Sequence, residues 1–225
     1  MRKSLLLFAA AFLTAACFKP IQAAGSASAV QNARRLEDHA EDIIDVYLSG
    51  HADNAREKKL RGEMERALER LQSVADTGSS GARAAAVAEY LVGEMERCAG
   101  AGEFIRAALA ANQVTLVMLP REAFPTARAR RVALMDYLSR EIVLLNRLAR
   151  RSPAGVLDLR ARRTAVEADW KQLRPWFLKQ HHVSLVKAMD ACVSTIMTRK
   201  SPPSQIRAGQ TLGDLVDRLE QSLAK

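Results

Sequence analysis

The clearest helical pattern in this chain lies in residues 36–47, which read LEDHAEDIIDVY. Its apolar residues follow steps of four, three and four positions, at Leu36, Ala40, Ile43 and Tyr47. Such steps place side chains on one face of an α-helix, and charged residues fill most of the positions between them. The stretch therefore predicts an amphipathic helix that buries one face in a core.

The same apolar spacing recurs along the chain, while strand alternation and hairpin dipeptides such as Asn-Gly are absent from the sequence. Pro175 falls inside one apolar stripe and predicts a kink or a helix boundary there. Gly100 and Gly102 interrupt another stripe, which predicts either a break or unusually close packing of a second backbone. We therefore predict an all-α bundle of about five to seven helices. The later stripes are Leu60, Met64, Ala67, Leu71 and Val74; Leu91, Met95, Cys98, Ile105 and Leu109; Met135, Leu138, Ile142 and Leu145; Leu159, Val166, Trp170, Leu173 and Phe177; and Leu185, Met189, Cys192 and Ile196.

Composition agrees with this fold class and excludes others. The chain has 225 residues, of which 48% are hydrophobic and 5% aromatic, and it contains 11 Gly. The apolar fraction is too high for a disordered chain, and the low aromatic and glycine content is untypical of a β-sandwich or barrel. The length suits one ordinary domain or two small ones.

The N-terminus has the pattern of a secretory signal peptide. Residues 1–3 are Met, Arg and Lys, and residues 5–16 are uncharged and apolar. Twelve apolar residues are too few to span a bilayer core of about 30 Å, which needs roughly 20. We predict that residues 1–23 are cleaved after Ala23 and that the mature chain is periplasmic.

An alternative is that the chain is anchored in the envelope by a lipid on Cys17. Residues 13–17 read LTAAC and resemble a bacterial lipobox, although Thr14 and Phe18 depart from the usual pattern. Beyond the leader, we predict a helical bundle over residues 24–200. Residues 201–225 are predicted to form a linker and a short C-terminal helix.

The linker prediction rests on Ser201, Pro202, Pro203 and Ser204, and Thr211 is predicted to cap the short helix that follows.

Two further cysteines remain in the mature chain. Cys98 and Cys192 lie on apolar stripes of separate helices. Export favours oxidation, so a Cys98–Cys192 disulfide is predicted, and two buried free thiols are the alternative.

Common catalytic and cofactor motifs are missing from the sequence. It contains no P-loop, dinucleotide fingerprint, His-Glu-x-x-His, Gly-x-Ser-x-Gly or Cys-x-x-Cys-His. A di-iron bundle needs Glu three residues before His, and no histidine here has it. We therefore predict a protein that is not an enzyme, with no catalytic or metal-binding residue and no cofactor. The acidic run around His39 is interpreted as a solvated helix face.

One alternative keeps a cofactor in the bundle. His181 or His182 would bind haem or copper together with a core methionine, which would be Met95, Met118 or Met189. Methionines on apolar stripes usually belong to the core, and adjacent histidines usually lie at a solvated helix end. We keep this alternative as the second hypothesis.

Charge is distributed unevenly along the chain, which has a formal net charge of +9. Residues 121–163 contain eleven arginines and four acidic residues. Such a cluster predicts contact with another envelope protein or an anionic envelope surface, including peripheral membrane contact, and a solvated basic face is the alternative. No recognition motif supports nucleic acid as the partner. The predicted contact residues are Arg128, Arg130, Arg131, Arg150, Arg151, Arg160, Arg162 and Arg163.

The sequence therefore predicts an exported, non-enzymatic helical bundle that binds another component of the cell envelope. A haem- or copper-binding bundle and a lipid-anchored accessory or pilot protein of a secretion system are the alternatives. These analogies hold at the level of fold only.

Overall fold

The computed structural model describes residues 27–49, 54–75, 79–149, 155–199 and 201–223. Within these residues the secondary structure is entirely helical, as the sequence predicts. The predicted signal peptide, its cleavage site and Cys17 lie outside the described residues. The eight α-helices are α1 (Ala27–Ser49), α2 (Asn54–Ser73), α3 (Ser80–Gly100), α4 (Phe104–Met118), α5 (Ala127–Ala149), α6 (Gly155–Lys179), α7 (Val183–Thr198) and α8 (Pro202–Leu223), and a 3₁₀ turn (Leu119–Arg121) joins α4 to the loop before α5.

Helices α1 to α4 form a first four-helix bundle in which each helix packs on the next and α4 returns to α1. Two polar contacts show that α1 and α2 run antiparallel: the Tyr47 hydroxyl donates to Glu57 Oε1 at 3.1 Å, and His39, earlier in α1, faces Glu63, later in α2. The rings of Tyr47 and Phe104 stack with centroids 6.0 Å apart where α1 ends and α4 begins. The apolar stripes of all four helices meet in one core, which includes Leu36, Met64, Met95 and Val114.

Helices α5 to α8 form a second bundle with the same circular order of contacts. Arg131 of α5 pairs with Asp169 of α6, and the Cys192 thiol of α7 donates to the Ala208 carbonyl of α8 at 3.3 Å. A second core fills this bundle and includes Met135, Phe177, Met189 and Leu212. The described residues thus form two helical bundles, each with its own core.

The two bundles repeat one pattern of helices at an interval of about 100 residues. Helices of the first begin at residues 27, 54, 80 and 104, and those of the second begin at 127, 155, 183 and 202. The bundles meet mainly where α4 packs on α5, and Leu144 of α5 belongs to the first core. The 3₁₀ turn also packs on α1.

The break predicted around Gly100 and Gly102 is confirmed. Helix α3 ends at Gly100, and Gly102 has a φ of +72°, a conformation that residues with a Cβ rarely adopt. This break divides the third apolar stripe between α3 and α4. It is one reason why the structure has eight helices where the sequence analysis counts five to seven.

The predicted linker at residues 201–204 is wrong, and so is the cap at Thr211. Pro202 begins α8, a helix of 22 residues, because proline fits the first turn, where its missing N–H has no helical partner. The buried Gln205 amide donates to the carbonyl oxygens of Ile196 and Arg199, which fixes α8 against the end of α7. Thr211 lies in the middle of this helix.

Pro175 lies inside α6, which continues to Lys179, so the boundary predicted there is absent and the kink stays a prediction. Because Pro175 is exposed, the carbonyl four residues earlier can bond to water instead of to an N–H.

The predicted disulfide is wrong. Cys98 belongs to the first core and Cys192 to the second, and both are buried free thiols. Their stripes do point inward, but towards different cores. Burial raises the pKa of both thiols, that of Cys192 to about 11.

We expect Cys98 and Cys192 to resist alkylation in the folded protein and to react fully after denaturation without a reductant. Burial shields both sulfurs and disfavours the reactive thiolate. Peptide mass mapping after iodoacetamide treatment measures the two adducts separately. A peptide pair joined through these cysteines in protein isolated from an oxidising compartment would contradict the structure.

We also expect opposite effects from two glycine substitutions. A Cβ on Gly209 of α8 would lie 2.8 Å from Val143 Cγ2 and 3.1 Å from the Ser139 carbonyl oxygen, whereas one on Gly93 of α3 has no atom within 4 Å. Gly209→Ala should lower the free energy of unfolding by about 1–2 kcal/mol, because overpacking exceeds the gain in helix propensity. Gly93→Ala should raise it by about 0.5–1 kcal/mol. Urea unfolding followed by circular dichroism measures both, and equal shifts would contradict the close α5–α8 packing.

Candidate functional site

The arginines predicted to form a contact surface do not all face solvent. Arg131 Nη1 lies 2.7 Å from Asp169 Oδ1, and Arg162 is buried with its Nη2 atom 3.5 Å from Glu141 Oε1. These two guanidinium groups hold α5 and α6 together, so they are structural parts of the second bundle.

Other members of the set remain at the surface. Arg128 and Arg160 are exposed, and Arg130 and Arg163 are half-buried. The Arg128 guanidinium lies 5.1 Å from the centre of a Trp176 ring, a cation–π contact at the start of α5. Arg150 and Arg151 lie outside the described residues.

The exposed arginines are divided between the two ends of the α5–α6 pair. Arg128 lies beside Trp176, near the end of α6, whereas Arg160 lies near its start. Sixteen residues separate Arg160 from Trp176, which corresponds to about 24 Å along a helix. The predicted arginines that the structure describes therefore form two separate basic regions and not one patch.

Charge also divides between the bundles. The sequence from residue 24 to 118 contains 15 acidic and 11 basic residues, whereas residues 119–225 contain 10 acidic and 20 basic residues. The second bundle is therefore strongly cationic beside a weakly anionic first bundle. Fields of this kind act on partners over about a Debye length, roughly 8–10 Å at physiological salt.

A buried polar network lies between α4, α5 and α6, and sequence analysis did not identify it. Its centre is Glu141, a buried carboxylate that accepts hydrogen bonds from Asn112 Nδ2 at 2.7 Å and Gln113 Nε2 at 3.0 Å. The same Gln113 amide lies 2.9 Å from the hydroxyl of buried Tyr137. With Arg162 close to the carboxylate as well, protein groups satisfy this charge.

The network continues into the contact between the bundles, which we call the seam. Arg140 of α5 pairs with Glu41 of α1, and its Nη1 atom lies 2.8 Å from Asp136 Oδ2. Its Nε atom donates to Asn112 Oδ1 of α4 at 3.4 Å. One guanidinium thus links α1 and α4 of the first bundle to α5 of the second.

Carboxyl groups outnumber cations at the seam. Glu37 of α1 shares a hydrogen bond with Glu122 in the loop after the 3₁₀ turn. Burial and this neighbour raise the pKa of Glu37 to about 9, and burial raises the pKa of Glu122. Burial also raises the pKa of Glu41, to about 8, because the effect of burial exceeds the lowering effect of Arg140. Two carboxyls so close share a proton at neutral pH, because both charged forms would repel.

The acidic run in residues 36–47 therefore has two faces. Asp38 and Asp42 are exposed, as the interpretation of a solvated face requires, but Glu37 and Glu41 turn towards the seam. Spacing alone did not indicate this, because their partners, Glu122 and Arg140, lie much further along the chain. The sequence did contain one indication of the buried network: Glu141 is an acidic residue within the most apolar part of α5, where a charge needs a partner.

The histidines of the cofactor hypothesis lie at the turn between α6 and α7. His181 is exposed with a φ of 62°, and the His182 ring meets Phe177 edge-on at 5.9 Å between centroids. Of the three candidate methionines, Met95 and Met118 belong to the core of the other bundle, and Met189 belongs to the second core. Over the described part of the chain, no group of three or more His, Cys, Asp or Glu side chains is arranged to hold a metal ion.

Comparisons with known proteins give no further guide. A scan against protein-family models found no match, and searches of curated proteins and of solved structures found no similar chain. None of the helices that the structure describes has both the length and the hydropathy required to cross a bilayer.

We expect the free energy of unfolding to fall as the pH rises from about 4.5 towards 9. Folding raises the pKa of Glu37 from 4.5 to about 9. A raised pKa means that the folded chain favours the protonated form, so its contribution is complete below pH 4.5 and is lost as the pH passes 9. Glu41 acts in the same direction. Urea unfolding at a series of pH values measures this dependence.

Glu37→Gln keeps an uncharged group of similar shape and should make the profile flatter. Glu65→Gln, an exposed residue of α2, is the matched control and should leave the slope unchanged. A wild-type stability that increases across this range, or a Glu37→Gln profile as steep as the wild type, would refute the shared proton at the seam.

Proposed function

We propose that this chain is an exported, non-enzymatic helical protein that binds an anionic component of the cell envelope through its second bundle. The observation that carries the proposal is the division of charge, with 20 basic against 10 acidic residues from residue 119 onward. Binding to an anionic partner uses such a field both for attraction and for orientation.

The location rests on the N-terminal pattern of a short positive segment and an apolar stretch. Residues 1–23 are proposed to be a cleaved signal peptide, which places the mature chain in the periplasm. Lipid anchoring at Cys17 would keep the same bundles on the same side of the membrane. Mass determination of the mature N-terminus distinguishes the two processing routes.

The absence of a catalytic role is part of the proposal. The buried carboxylate of Glu141 and the largely buried guanidinium of Arg140 are bonded to other protein groups. Polar groups whose hydrogen bonds are made to other protein groups typically join helices. The proposal therefore gives this network the role of holding the two bundles in a fixed arrangement while the surface of the second binds.

The structure refines which arginines are suited to binding. Arg131 and Arg162 pair inside the bundle, so we leave them out of the proposed surface. Arg128 and Arg160 are exposed at the two ends of the α5–α6 pair and are the best residues for a test.

We expect Arg128→Glu with Arg160→Glu to weaken recovery of the partner roughly tenfold, because reversing two exposed charges removes about 0.7 kcal/mol at each. The measurement is affinity co-purification from the native envelope fraction, with salt titrated. Wild-type recovery should decrease as salt increases.

Arg66→Glu with Arg70→Glu is the matched control, because it makes the same change of charge on exposed residues of α2 in the first bundle. Circular dichroism checks that both variants remain helical. Equal recovery with both variants, or recovery that does not depend on salt, would refute the proposed function.

A further inference from the structure

The end of the second bundle between α6 and α7 combines exposed apolar side chains with positive charge. Leu178 is 36% exposed at the end of α6, and Val183 is 47% exposed at the start of α7. Only the turn that includes His181 separates them, so both side chains project from the same end of the bundle. The core of this bundle does not explain why two large apolar side chains are exposed together at this turn.

Basic residues surround this apolar pair. Lys179 follows Leu178, and Lys187 lies one turn after Val183 on the same face of α7, and both lysines are exposed. Arg128 reaches the same end from α5, where it stacks on the half-buried Trp176.

Acidic residues are scarce on this side of the bundle. The sequence from residue 170 to 189 contains no Asp or Glu. The nearest acids are engaged: Asp190 accepts from Trp170 Nε1 at 2.8 Å and from Arg174 Nε at 2.9 Å, and Asp169 pairs with Arg131. Two exposed acids near the C-terminal end of α8, Asp217 and Glu220, lie on the side of the bundle that faces Asp136.

We infer that this end, which we call the tip and define by Arg128, Trp176, Leu178, Lys179, Val183 and Lys187, adsorbs to a membrane surface that contains anionic phospholipids. The inference rests on the proposed function and specifies the anionic partner. Basic residues are attracted to anionic headgroups, Trp is favoured at the membrane–water interface, and the two aliphatic side chains enter the boundary of the acyl chains.

The exposed apolar pair favours a lipid surface over an acidic protein. An acidic protein partner would need a complementary surface that fits the turn and buries both apolar residues. A lipid surface deforms around the tip and accepts apolar side chains between headgroups without a complementary pocket.

The experiment is co-sedimentation of the full chain with vesicles of phosphatidylcholine, with and without phosphatidylglycerol. We expect adsorption only to the vesicles with phosphatidylglycerol, and less of it as salt increases. Lys179→Gln with Lys187→Gln should weaken the partition coefficient roughly 25-fold, because each basic residue near an anionic surface contributes about a factor of five.

Arg66→Gln with Arg199→Gln is the matched control for charge. Both arginines are exposed; Arg66 belongs to α2 of the first bundle, and Arg199 follows the end of α7 at the opposite end of the second bundle. Twelve residues separate Arg199 from Lys187, which corresponds to about 18 Å along a helix and exceeds the screening length of about 10 Å. This variant should adsorb like the wild type.

Two further variants test the apolar contact. Leu178→Ser with Val183→Ser should weaken adsorption. Val87→Ser with Tyr90→Ser should not, although these residues of α3 are 47% and 54% exposed. Brominated lipids should quench the fluorescence of Trp176, and Trp176→Phe should remove that quenching.

Each contrary result overturns the inference. Equal adsorption to both kinds of vesicle removes the role of anionic lipid, and equal weakening by the paired lysine and arginine variants moves the contact away from the tip. If the chain does not adsorb to vesicles but recovers an acidic envelope protein in the Arg128 and Arg160 experiment, the lipid inference is wrong and the proposed function stands. If it neither adsorbs to vesicles nor recovers an envelope partner, both the lipid inference and the proposed function are rejected.

Discussion

The arrangement of the two bundles depends on one largely buried guanidinium, that of Arg140. It contacts Glu41 of α1, Asp136 of its own helix and Asn112 of α4, so it joins three helices with one side chain. A buried cation without partners is unfavourable by several kcal/mol, and the planar guanidinium can bond to several acceptors in fixed directions. Arg140 therefore requires α1 and α4 to lie against α5, which is the contact that places the bundles side by side.

The same requirement explains why the seam responds to protons. Arg140 can neutralise only part of a cluster that includes Glu37, Glu41, Glu122 and Asp136, and burial raises the pKa of each of these four carboxyls. A shared proton between Glu37 and Glu122 reduces the remaining repulsion without a second cation. Stability at the seam and protonation are thus coupled, since a loss of that proton leaves two neighbouring charges in a largely buried region.

The sequence was sufficient for features that depend on neighbours within one helix. The stripe from Leu36 to Tyr47 and the break at Gly102 are local patterns, and both agree with the structure. Features that depend on distant residues were missed. Cys98 and Cys192 were correctly placed on inward faces, but an inward face does not identify which core it enters when the chain forms two. The repeat of about 100 residues was also missed, because it repeats the order of helices and no short motif.

The charged residues show the same difference between features that the sequence contains locally and features that depend on distant partners. The number of arginines in residues 121–163 is evident from the sequence, but their availability depends on tertiary partners. Arg131 and Arg162 have acidic partners on a neighbouring helix, whereas Lys179 and Lys187, which belong to a less basic stretch, are exposed beside Leu178. A surface that binds an anion needs charges that no internal acid has neutralised. The residues best suited to that role therefore lie at the turn between α6 and α7, where the sequence contains no acids, and not where arginine is most abundant.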